Sequence, residues 1–340
     1  TMVKLGVFLC ARFFPILGAS DLWAPLLLGT GFFTMLLGAV LALRQTDLKA
    51  LLAFTTISQL GFLCGSYGLA AWTGVRFDYL HILNHTLYKG SLFMLAGLID
   101  HACHTRALRD LGGLARRLPA ATFAAALNLA AMAGVIGTTG FLSKEVALAS
   151  LLEAVQSNHP GAMLALAAMV VTAVLNVAIA VHFFVRVFLG TPRSEGAAHA
   201  HRPALLLILP PLLLSVAGLL LGLNPHAWET LATLWRVPGL HLPEPGHLHL
   251  WHGWTTEFIL STSAIAAGLT LALLGRKLHL FESPVPRILR FDEHFERGLK
   301  ALVNAARTIT RWTQVDRPLS YLPVALGTVL ILLWVGAWQA

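Results

Sequence analysis

Asp78 to Asp100 reads DYLHILNHTLYKGSLFMLAGLID, a stretch apolar and long enough to cross a bilayer that nevertheless carries His81, His85 and Lys89. Each interval is four residues, so on a helix successive side chains rise about 6 Å and turn by about 40°, which sets all three on one stripe about 12 Å long. In hydrocarbon such groups are costly, so they face a protein interior or a hydrated cavity and mark an ion or proton path. The competing reading is that both histidines are satisfied interior hydrogen bonders and Lys89 snorkels its ammonium toward the interface.

The rest of the chain agrees with a membrane setting. Of 340 residues, 56% are hydrophobic and only 12% charged, with a mean hydropathy of +0.72, whereas a soluble domain is about a quarter charged. This is a polytopic, all-α membrane protein. The net charge of +8 does not point to nucleic acid, because the basic residues sit in particular loops and near the end rather than on one polar face. Cys10, Cys64 and Cys103 are odd in number and form no CxxC pair, so they read as unpaired thiols. The chain opens on TMVKLGVFLCARF, without an initiator Met or a signal peptide and already inside an apolar run, as expected of a piece of a longer protein.

Outward from the opening stretch, Thr1 to Leu17 reads as the remnant of a span with Lys4 and Arg12 inside it, and Leu22 to Leu43 as a clean span. The hinge RQTD (44–47) leads to a third helix, Leu48 to Leu69. Lys49 stands at its mouth, and Thr55, Ser58 and Gln59 at i, i+3, i+4 give it one polar face, suited to interhelical hydrogen bonds or to hydration. Further on, Leu118 to Gln156 is apolar for too long to be one straight span of about 20 residues. The break is legible at GVIGTTG (134–140), followed by FLSKE with Lys144 and Glu145. A discontinuous helix frees backbone groups that line a cavity, and a lysine beside it is placed to use that cavity.

The remaining spans are Gly161 to Leu189, Pro203 to Leu223, Trp254 to Leu274 and Leu319 to Trp338. Counting 118–156 as one broken crossing puts Arg44, Lys49, Arg106, Arg109, Arg116, Arg117, Arg186, Arg193, Arg202, Arg276, Lys277 and the basic run to Arg317 on one side. Little beyond Arg76 and Arg236 is left for the other, so the first side is cytoplasmic; two crossings would scatter the basic runs over both sides. Past Pro284 and Pro286, the apolar residues Phe291, Phe295, Leu299, Leu302, Ala306 and Ile309 recur at helical spacing among charges, which predicts an amphipathic surface helix lying on the membrane or on a partner. The loop Asn224 to Gly253 holds His226, His241, His247, His249 and His252 at spacings that match no closed metal site, so no metal or other cofactor is expected.

Several of these stretches together resemble the antiporter-like membrane subunits shared by Mrp-type sodium/proton antiporters, respiratory complex I and membrane-bound hydrogenases. TMVKLGVFLCAR is similar to the family's central-lysine helix and LRQTDLKALLAFTTISQLGF to its most recognisable run. HILNHTLYKGSLF resembles its His/Lys helix, HTRALRDLGGLARRLP the following loop, and GFLSKE the lysine of its broken helix. The resemblance implies an inverted-repeat architecture whose first repeat lies upstream of Thr1, and a chain of protonatable residues at the membrane midplane. Carried over by motif, Lys4 is the central lysine, His81, His85 and Lys89 pass protons onward, and Lys144 is the terminal lysine near the outward exit. Lys49, Thr55, Ser58, Gln59 and Glu145 are supporting polar residues. The sequence departs from the family in having glycines where prolines usually stand at the break.

The resulting expectation is an antiporter-like core over 1–190, further spans over 191–275, a cytoplasmic amphipathic connection over 276–318 and a last span over 319–340. The TMVK opening, the loop TRALRDLGGLARR and the tail FDEHFERGLKALVNAARTITR look most like the large A-type Mrp subunit. That implies a proton-translocating subunit of a multisubunit sodium/proton antiporter, multi-pass in a bacterial inner membrane among other membrane subunits. A proton-pumping subunit of complex I or of a hydrogenase is the alternative; its lateral helix would need more than the roughly 20 amphipathic residues after Pro286. Two other classes compete: a haem protein using His81, His85 and His182 as axial ligands, and a passive scaffold, which leaves the ladder without a purpose.

Overall fold

The structure is a computed structural model that describes residues 2–73, 78–234, 248–251, 253–278, 281, 291–313 and 322–339. Arg76, Arg236, His241, His247, His252, Pro284, Pro286 and Arg317 lie outside the described residues. After a 3₁₀ turn, Met2–Lys4, thirteen helices follow among the described residues: α1 Leu5–Leu17, α2 Trp23–Leu43, α3 Leu48–Thr73, α4 Asp78–Cys103, α5 Pro119–Ala133, α6 Thr139–Gln156, α7 Ala162–Phe188, α8 Glu195–Ala198, α9 Leu205–Leu223, α10 Pro225–Leu234, α11 Thr256–Lys277, α12 Phe291–Thr313 and α13 Leu322–Gln339. The fold is all-α. Among the described residues five helices, α2, α3, α7, α9 and α11, are long and apolar enough to cross a membrane. Although α4 is 26 residues long, it is absent from that set, because the polar ladder lowers its hydropathy; buried between neighbours, it does not meet lipid with that face.

The chain forms two compact units, Thr1–Pro284 and Val285–Ala340. In the first, α2 and α3 make a hairpin whose backbones touch. A Cβ on Gly31 would overlap the Gly65 backbone, so only glycine permits the approach, and Ser58 Oγ donates to Met35 O across the seam at 2.7 Å. Close contact through small residues is how helices associate where lipid removes the hydrophobic drive. The turn between them is capped by Asp47, whose Oδ1 accepts from Ala50 N–H at 2.8 Å. The loop after α4 is sewn onto this turn, with Leu48 N–H on Arg106 O at 2.9 Å and Leu108 N–H on Thr46 O at 2.8 Å. Arg193 fastens the loop's other end by donating to the carbonyls of Leu111 and Arg186.

The predicted break lies between α5 and α6. Gly134 closes α5 in the left-handed region (φ 76°) and Thr138 caps α6, its hydroxyl accepting from Phe141 N–H at 3.3 Å. How many crossings the two halves make follows from their partners along α4. His81, Asn84, Lys89 and Ser91 meet Ser143, Thr139, Met132 and Asn128 in turn. One series climbs as the other falls, so α5 and α6 lie end to end, antiparallel to α4. They make a single interrupted passage, as charge parity required.

One expectation needs correction. Residues 224–253 read as a loop, but Pro225–Leu234 is helical. Proline sits at the first helical position, where its missing N–H is harmless, and Asn224 Oδ1 accepts from Ala227 N–H at 3.3 Å. The helix buries Trp228 with Leu80, Phe141 and Phe258. In the second unit, α12 carries charged residues along one side and the exposed Phe295, Leu299, Leu302 and Ile309 along the other.

Candidate functional site

The helix break makes its own lysine site. An α-helix leaves its last four carbonyls without intrahelical donors, and they carry the negative end of the helix dipole. In α5 the carbonyls of Ala130 and Ala131 are taken by Val135 and Gly134 N–H, at 3.0 and 3.1 Å. Ala133 O instead receives Lys144 Nζ at 2.8 Å. The first turn of α6 presses against α5 to allow this, since a Cβ on Gly140 would overlap the Ala131 carbonyl.

Other ladder members are anchored in a similar manner. Lys89, buried, donates to Thr55 Oγ1 and to Leu52 O (3.3 Å) on α3, with Met132 Sδ at 3.9 Å. Lys4, half-buried, reaches α4 and donates to Thr86 Oγ1 and to Ile82 O (3.3 Å). None of these three ammonium groups meets a carboxylate among the described residues. His81 pairs through Nδ1 with Ser143 Oγ at 2.9 Å. Neither ring nitrogen of His85 has a hydrogen-bond partner among the described residues. Its ring stacks on His81 with centroids 6.2 Å apart, and Tyr88 meets it edge-on at 5.4 Å. At that separation one ring cannot hand a proton directly to the other, since transfer needs heavy atoms about 3 Å apart or an intervening water.

A cavity of about 40 Å³ lies beside the ladder, lined among others by Gln59, His81, Asn84, Lys144, Thr172 and Asn176. It brings His81 and Lys144 to one space. Thus Lys4, His81, His85, Lys89 and Lys144 all lie in one unit, Lys4 half-buried and the other four buried. The supporting residues divide. Thr55 holds Lys89 and Gln59 lines the cavity, whereas Ser58 is spent on the α2–α3 seam. Glu145 points to α11, accepting from Ser261 Oγ at 2.6 Å, and Lys49 is exposed. His182, considered above as an axial ligand, packs against Phe281 with centroids 4.9 Å apart. No group of three or more His, Cys, Asp or Glu among the described residues is placed to hold a metal.

Sequence reasoning missed Asn84, Ser143, Thr172 and Asn176. Thr172 and Asn176 stand four apart in a span that is otherwise apolar up to His182, which was the available signal. It also missed a knot in which Asn128 Nδ2 donates to Ser91 Oγ (2.8 Å) and Ser215 Oγ (2.6 Å), tying α5 to α4 and α9.

Comparison with known proteins places this arrangement. The family described as NADH:quinone oxidoreductase/Mrp antiporter, TM, matches residues 1–185. The A/B-type subunit of a probable K(+)/H(+) antiporter from Rhizobium meliloti is 35% identical over 309 residues, covering 89% of this chain and 31% of the relative. The A-type subunit of the Na(+)/H(+) antiporter from Alkalihalophilus pseudofirmus is 32% identical over 341 residues, covering 92% and 42%. The chain therefore spans less than half the length of these relatives, 31% and 42%. Among solved structures, the Mrp complex from Dietzia sp. DQ12-45-1b superposes with a TM-score of 0.81 at 30% identity, over 100% of this chain and 36% of that one. The membrane-bound sulfane sulfur reductase, an archaeal respiratory membrane complex, matches with a TM-score of 0.67 at 16% identity over 97% of this chain and 61% of that one, a likeness of fold. With more than half of its length matched by the family and its ladder and broken helix in place, this chain belongs to the NADH:quinone oxidoreductase/Mrp antiporter transmembrane family.

Proposed function

We propose that this chain is part of the proton-translocating membrane subunit of a multisubunit monovalent cation/proton antiporter, seated among other membrane subunits in a bacterial inner membrane. The observation that carries the reading is the way Lys4, Lys89 and Lys144 are held, each by carbonyl or hydroxyl oxygens and none by a carboxylate among the described residues. A buried ion pair fixes its charge, because removing either charge leaves the other uncompensated. Neutral oxygens impose no such lock. Each lysine can lose and regain its proton as neighbouring charges appear and vanish, with the histidines as intermediate carriers. In this reading Lys4 receives protons from the upstream half, α4 passes them by way of His85 and His81, and Lys144 delivers them toward the exit.

The exchanged ion is a monovalent cation, with sodium the first to test, since relatives are named for both Na(+) and K(+). The second reading, a proton-pumping subunit of a complex I-type or hydrogenase-type assembly, is supported by the family's breadth. It is weakened by the sequence pattern, in which the amphipathic repeat after Pro286 runs for only about 20 residues, short of an extended lateral helix. The test is cation-induced proton movement in everted vesicles from a host without its own antiporters, expressing the full-length protein with its complex. Adding Na⁺ or K⁺ should dissipate a preformed pH gradient. Proton movement that requires NADH or another electron donor, with no response to either cation, overturns the antiporter reading in favour of the second.

A further inference from the structure

The cavity between His81 and Lys144 has an unusual wall. His81 Nε2, Thr172 Oγ1 and Asn176 Oδ1 are buried, have no protein hydrogen-bond partner among the described residues, and belong to residues that line it. Buried polar atoms of this sort are costly to leave dry and are ordinarily satisfied by ordered water. Room is available, since one water needs about 10–15 Å³ and the cavity offers about 40 Å³. Two or three waters fit. Thr172 and Asn176 are one helical turn apart on α7, so both reach the cavity from the same side.

We propose that Thr172 and Asn176 are positioning residues that hold a chain of two or three waters along which a proton passes between Lys144 Nζ and His81 Nε2. In the tautomer that donates Nδ1–H to Ser143 Oγ, His81 Nε2 is an acceptor facing the cavity. A proton leaving the Nε2 of a protonated His81 enters the first water while the last water gives one to the neutral Lys144 Nζ, so one proton is transferred, His81 returns to that neutral tautomer and every water is regenerated. Asn176 Oδ1 accepts from a water and orients its lone pair along the chain, and Thr172 Oγ1 can accept from one water and donate to the next. An amide at 176 leaves the path neutral. A carboxylate there would attract the Lys144 ammonium and hold its proton.

The inference rests on the proton-carrying role given to Lys144 above, and the experiment separates the two. In the full-length protein within its assembled complex, flux per complex is measured for Thr172→Val, Thr172→Ser, Asn176→Leu and Lys144→Ala. Valine keeps the shape of threonine, so a packing role predicts no change in Thr172→Val. We expect at least about a ten-fold loss in Thr172→Val and Asn176→Leu, as for a lost proton-transfer partner, with flux near wild type in Thr172→Ser. Wild-type flux in Thr172→Val beside an inactive Lys144→Ala overturns the water chain and spares the lysine; an active Lys144→Ala overturns both. Should Asn176→Leu fail to assemble, the isosteric Thr172→Val pair still decides. A density map of the complex showing waters on Thr172 Oγ1 and Asn176 Oδ1 would agree, and a collapsed, dry cavity would not.

Discussion

At the scale of the residue, Lys144 fills the carbonyl end of the helix that stops before it, its ammonium held by the Ala133 carbonyl while the neighbouring Glu145 turns to Ser261. Lys144→Ala should therefore abolish proton-coupled exchange with the assembled complex intact. Lys144→Arg should fail as well, because guanidinium does not release its proton at working pH. Wild-type exchange in vesicles from either variant would remove Lys144 from the path. His85 makes a second case. With no protein hydrogen bond to lose, it contributes little to folding through its nitrogens, so His85→Ala should slow flux per complex strongly and His85→Gln should give partial function at most. Unchanged flux per complex, with only a lower yield, would make His85 a packing residue. The titratable members of this site were legible because charge in an apolar span announces itself. Thr172 and Asn176 were not, since a single hydroxyl or amide is tolerated on many helix faces and only the packed neighbours reveal a cavity there.

At the scale of the element, the break between α5 and α6 was readable from glycine spacing, and glycine also supplies its test. Gly134 and Gly137 both have positive φ, 76° and 84°, so alanine at either incurs the left-handed penalty of about 1–2 kcal/mol. Only at 134 would the new Cβ crowd the lysine, at 2.7 Å from Lys144 Nζ; at 137 it would meet Leu223 Cδ2 at 3.4 Å. Gly134→Ala should thus lower flux per complex well beyond Gly137→Ala, with similar effects on thermal stability. Equal flux in the two would show that backbone strain alone matters. What the sequence concealed at this scale was α10, where one proline and a few apolar side chains sit among polar residues and the helix depends on burying Trp228.

At the scale of the molecule, α12 belongs to a unit separate from the ladder and carries an exposed apolar stripe. Water is a poor environment for it, so the stripe should lie on lipid or on a neighbouring subunit. Replacing Phe295 and Leu299 by Asp should loosen the complex in mild detergent, and unchanged co-purification with full membrane retention would argue against an anchoring role. Within the larger unit, the α2–α3 seam has a mechanical consequence. Two helices whose backbones touch through glycine, stitched by Ser58 to Met35, cannot slide apart gradually, because the first small displacement forfeits the whole contact. Pulled from one end by a force probe, residues 23 to 73 should leave the bilayer in one rupture, releasing about 180 Å of extended chain rather than two shorter steps.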